Sequence, residues 1–144
     1  MSTETTSLDD LEMGDEIAPI ERVITREQVV QFLKLGGRWG GATRFNDPEI
    51  ARREGLPGPI VPGGLSMAFL SQFIARRLPN ASLRKLDAVF RQVVLHNAPV
   101  HIRGVVTDKK VVDGEPQLEL DVLTEDTGGQ VLIAAQAVVG FEAT

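Results

Sequence analysis

An α+β fold, with one long central helix wrapped by an antiparallel sheet, follows from three observations on the chain. Residues 65–78 (Leu-Ser-Met-Ala-Phe-Leu-Ser-Gln-Phe-Ile-Ala-Arg-Arg-Leu) carry apolar side chains around most of the circumference in their first half, so a helix here needs cover on more than one side. Everything after it reads as strand: 86–95, 100–112, 118–123 and 131–141. The last two alternate, with Leu118, Leu120 and Val122 set against Glu119 and Asp121, and with Val131, Ile133, Ala135, Ala137, Val139 and Phe141 on one face. Consecutive strands joined by short turns pair antiparallel, and their apolar face is what the helix needs.

The remaining elements follow in order. Residues 1–7 are polar and read as a flexible tail, and residues 8–144 as a single domain. Leu8, Leu11, Met13 and Ile17 supply apolar anchors around Gly14, and a strand precedes the helices. Thr25 is placed to cap a short helix whose Val29, Phe32 and Leu33 recur at helical spacing and which ends at Gly36-Gly37. The stretch Gly36 to Phe45 holds four glycines and reads as a loop. Asp47-Pro48 then sets a cap followed by proline at the first helical position, with Gly55 as the stop after one or two turns. Leu56-Pro57-Gly58-Pro59 is an extended connector, while Asp113-Gly114 and Asp126-Thr127-Gly128-Gly129 separate the later strands. No internal repeat is present.

With 144 residues, 42% hydrophobic and 24% charged, the chain has the composition of an ordinary soluble domain. No apolar run approaches the roughly 18 residues of a membrane helix, and the acidic N-terminus lacks an export signal, so cytoplasmic residence without membrane association is the expectation. A net charge of −5 without a concentrated basic face argues against nucleic acid as a partner. The absence of cysteine and the presence of only two histidines argue against a metal site, and no motif calls for a cofactor.

The stretch from Arg44 to Ala68, with Phe45-Asn46-Asp47-Pro48 and Gly58-Pro59-Ile60-Val61-Pro62-Gly63-Gly64-Leu65 inside it, resembles the signature of MaoC-like (R)-specific enoyl-CoA hydratases and acyl dehydratases. That pattern runs D-x-N-P-x-H-x-D-P-x-x-A and then G-x-x-x-x-I-V-H-G-M-L. The opening Leu8 to Asp15 and the strand Gly104 to Lys109 are similar to the family's as well, so the resemblance covers nearly the whole chain. It implies a hotdog fold that pairs as a double hotdog, with a thioester of CoA or a carrier protein held near the N-terminus of the central helix. Aligned without gaps, the family's Asp falls on Gly40, its Asn on Ala42, the motif His on Phe45 and the second His on Pro62, while Ala68 replaces a frequent serine. Hydration needs a base for water and an acid for the alpha carbon. Neither stands at the aligned positions.

The residues left to weigh are few. Gly63 and Gly64 leave the backbone N–H groups of the helix start open to a carbonyl oxygen. Arg38, Trp39, Arg44 and Phe45 are substrate-binding candidates, because guanidiniums and aromatic rings hold phosphates, carboxylates or flat groups, and the alternative is that Trp39 and Phe45 fill the vacated cavity. Asp47 and His96 are the only acid/base candidates; an Asp before Pro at a helix start is ordinarily a cap. His101 alternates with Val100 and Ile102 and reads as a surface or partner contact, and Arg76 and Arg77 read as solvated.

Three readings stay open. The chain is a catalytically degenerate acyl-thioester-binding subunit, acting as a homodimer or as a heterodimer with another hotdog chain. Alternatively it is a self-sufficient lyase, hydratase or isomerase using residues outside the family pattern, or a non-enzymatic acyl or small-ligand binder.

Overall fold

The computed structural model describes residues 7–36 and 41–142. After a 3-10 turn at Leu8–Asp10 come β1 (Glu16–Val23), α1 (Arg26–Leu35), α2 (Pro48–Arg53), α3 (Gly63–Arg77), β2 (Ala81–Phe90), β3 (Pro99–Val112), β4 (Glu115–Asp126) and β5 (Val131–Phe141). The strands form one antiparallel sheet in the order β1-β3-β4-β5-β2, leaving β1 and β2 at the edges. Leu70, Phe73 and Ile74 of α3 are buried in one core with Ile17, Ile102, Val106, Leu118, Leu120, Val122, Ile133 and Val139 from the sheet. Each such fully buried side chain contributes about 1.5–3 kcal/mol relative to leaving it in water. The expected α+β hotdog arrangement of one helix against an antiparallel sheet is the one observed.

Local chemistry sets the element ends. The Thr25 side chain accepts from the Gln28 N–H while the Gln28 side chain accepts from the Thr25 N–H, so both caps of a capping box are made. At the Asp113-Gly114 turn both residues take positive φ, 51° and 80°, as a two-residue hairpin of matching twist requires.

Four expectations need correction. The strand expected at 86–95 is Ala81–Phe90: its edge position exposes Arg84, Lys85 and Val89, which masks the alternation. Past Phe90 the chain leaves β5, with the Arg91 and Gln92 N–H groups both donating to the Leu132 carbonyl. Met13 is not an anchor but is 64% exposed, while Leu11 and Ile17 are buried. Arg77 is not solvated: its guanidinium donates to the Ala18 and Pro19 carbonyls at 2.9 Å, where the β1–β3 register slips. Finally, the cover of α3 is uneven within this chain: Ser66, Leu70, Phe73 and Ile74 are buried and Leu65, Met67 and Phe69 pack partly against the core, while Ala68 and Ala75 stay exposed. The expected tail, apart from Ser7, lies outside the described residues.

Candidate functional site

The start of α3 is fixed by two crossings. The Val61 N–H donates to the Val94 carbonyl at 2.7 Å, and Ile60 bridges Leu95, so the segment between β2 and β3 is strapped to the connector that leads into α3. His96 adds to the strap, with its Nε2 3.2 Å from the Ile60 carbonyl. Between strap and helix lies a groove of about 480 Å³, walled by Phe45, Leu56, Ile60, Val61, Gly63 and Ser66 on one side and by Phe90, Arg91, Gln92, Val93 and Val94 on the other. That volume falls in the range of small-molecule sites.

Gly63 is the first residue of α3 rather than a residue before it, and Pro62 provides no side-chain cap. Leu65 and Ser66 N–H both donate to the Pro62 carbonyl, whereas the Gly63 and Gly64 N–H groups make no hydrogen bond to a described residue. The space above the two glycines is taken by aromatic rings. A Cβ on Gly63 would lie 3.3 Å from Phe90 Cζ, and one on Gly64 would lie 3.0 Å from Phe32 Cζ. Of the two, only Gly63 lines the groove.

Phe45 lines the groove too, with Arg44 stacked 5.6 Å from its ring centroid and paired to Glu54 at 2.8 Å. Arg44 is thereby held on the outer side and does not line the cavity. Asp47 lies elsewhere, in a shallow depression with Arg26, Gly41, Ala42 and Asn46; its Oδ1 accepts from the Glu49 and Ile50 N–H groups at 2.9 and 3.2 Å. His96 does not reach the groove lining either. His101 lies 3.9 Å from Glu21 across β1 and β3. Arg38, Trp39 and Gly40 lie outside the described residues.

The groove therefore gathers Phe45 and Gly63 from the residues singled out in the sequence and adds Ser66, Phe90, Arg91 and Gln92. Ser66 could have been read from spacing, since it is in phase with Leu70 and Phe73 on the inner face of α3. Arg91 and Gln92 carry no such signal, because their position depends on where β2 parts from β5. Among the described lining residues none is Asp, Glu or His. Among all described residues no cluster of His, Cys, Asp or Glu is arranged to hold a metal ion, and no helix is long and apolar enough to cross a membrane.

This fold agrees with the sequence family. A family model described as "MaoC like domain" matches residues 14–127. The chain belongs to the MaoC-like domain family. Its MaoC-like architecture superposes on the (R)-hydratase from A. caviae involved in PHA biosynthesis with a TM-score of 0.78, at 22% identity over 92% of this chain and 98% of that one. The R-hydratase PhaJ1 from Pseudomonas aeruginosa gives 0.80 at 17% identity, covering 94% of this chain and 85% of that one. A chain of the ChsH1-ChsH2 complex from Mycobacterium tuberculosis gives 0.75 at 14% identity, covering 91% and 98%. At these identities the likeness is one of fold. No curated protein sequence matches significantly.

Proposed function

We propose that this MaoC-like chain is a catalytically degenerate hotdog subunit of a cytoplasmic hydratase, which binds an acyl thioester and pairs with a second hotdog chain that supplies the acid and base. The observation that carries this reading is the groove lining: an apolar trough at a helix start, with no carboxylate or imidazole among its described residues. A thioester carbonyl at Gly63 would accept from a backbone N–H at the positive end of a 15-residue helix. The acyl chain would lie along Val61, Phe90 and Val94. Nothing in that lining takes a proton from water, since Ser66, Arg91 and Gln92 are poor bases at neutral pH.

The test is to purify the chain alone and again after co-expression with its genomic neighbours, and to follow hydration of enoyl thioesters. Alone, the chain is expected to be stabilised by acyl thioester against heat without turning it over, and hydration appears when a hotdog partner co-purifies. Substantial hydration by the lone chain that survives substitution of Ser66, Arg91 and Gln92 would show this reading to be wrong.

A further inference from the structure

Among its described lining residues the groove carries a single charge, Arg91, and that charge is not neutralised within the described chain. Arg91 and Gln92 line the wall together and are both exposed. Their backbone N–H groups donate to the Leu132 carbonyl at 2.8 and 3.1 Å, which ties the pair to β5, while neither side chain makes a hydrogen bond or ion pair with a described residue. Arg44 differs in this respect, since Glu54 lies 2.8 Å from its Nε and holds it outside the groove. Across from Arg91 stands Gly63, at the positive end of α3. The groove is thus positive from two directions, with Val61, Phe90 and Val94 between them.

We propose that Arg91, assisted by the Gln92 amide, is the specificity-determining residue of the groove and selects an acyl group that ends in a carboxylate, the half-thioester of a dicarboxylic acid. This rests on the acyl-thioester reading. A guanidinium holds a carboxylate through two parallel N–H donors, and the neighbouring amide adds a further donor to the same oxygens. A purely hydrocarbon acyl chain leaves Arg91 nothing to pair with and tends to displace its water. The spacing favours the acyl end over the phosphates of CoA. A Cβ on Gly63 would lie 3.3 Å from Phe90 Cζ, and Arg91 is the next residue, so the helix start and the Arg91 backbone are one phenylalanine side chain and one peptide apart. In CoA two amide units and a branched alcohol separate the sulfur from the nearest phosphate, a longer span, whereas the far end of a medium-length acyl chain falls within it.

The test is calorimetric titration of the chain, in complex with any hotdog partner that co-purifies, with adipoyl-, pimeloyl- and suberoyl-CoA, each against its own methyl ester, which is of similar length but uncharged at the far end. At least one free acid is expected to bind about tenfold or more tightly than its ester. Arg91→Met should bring that acid down to the affinity of its ester, and Arg91→Lys, a positive charge without the planar fork, should keep part of the preference. Equal binding of acids and esters by the wild type, or a preference that survives Arg91→Met, overturns the assignment and leaves the thioester reading standing. So does a loss in Arg91→Met that is the same for acids and esters and vanishes with the corresponding pantetheine thioesters, because Arg91 would then be meeting the phosphates of the carrier. Binding of none of the thioesters overturns both.

Discussion

At the scale of single residues, Asp47 shows how position decides what a carboxylate does. It is a carboxylate of the signature stretch, yet its oxygen is committed to the Glu49 and Ile50 N–H groups that open α2, and it lies outside the groove. Asp47→Ala is therefore expected to cost about 1 kcal/mol of stability through loss of the cap, as read by urea denaturation, with thioester binding retained. Asp47→Asn keeps an accepting oxygen and should recover most of that loss. A large loss of binding in either variant would instead place the carboxylate in the site. Gly63 is the opposite case, a residue whose lack of a side chain leaves room for Phe90 and the groove together.

At the scale of elements, the pair between Arg84 and Glu115 links the edge strand β2 to β4 over the back of β5. Its Nε–Oε1 separation is 3.1 Å, and the bridge passes over Gly140, where a Cβ would collide with the Glu115 carboxylate. The hydrogen bond from Arg84, followed by one from Gln117, holds the Glu115 carboxyl below its ordinary pKa. A carboxyl depressed in the folded state stabilises above its unfolded pKa, and that contribution is lost as pH falls through the folded value. Glu115→Gln should therefore be less stable than wild type at neutral pH, with the difference closing in acid, as measured by urea unfolding across that range. A difference independent of pH would assign the loss to packing.

How much was legible in the sequence differs by element for physical reasons. β4, β5, α1 and α2 announced themselves because one face of each strand meets the core and because Thr25 and Asp47 cap in the usual way. β2 was misplaced because an edge strand owes its residues to solvent or to a partner, so its alternation is blurred. Of the groove, the helix start and Phe45 were visible in the signature stretch. Arg91 and Gln92 were not, since they are brought there by the parting of two strands distant in sequence. The anchoring of Arg77 escaped for the same reason: its acceptors are carbonyls freed by an irregularity in β1, about sixty residues away.

At the scale of the whole molecule, the free edge of β2 is the unfinished part. Val89 and Phe90 are 62% and 49% exposed there, with Leu83 further along the strand. An edge of this kind invites another strand and would suit the proposed hotdog pairing. Val89→Glu removes no core contact, so the fold should persist while the paired species shifts toward monomer in sedimentation velocity. An unchanged distribution would move the interface elsewhere.

Phe90 belongs both to that edge and to the groove, where its ring lies over Gly63. A chain docked along β2 would settle the ring's position before any ligand arrives, and a ligand already seated would hold the same ring for the incoming chain. The two associations then share one coupling free energy, so each strengthens the other by an equal factor. The cell's supply of acyl thioester would set how much of this protein is assembled.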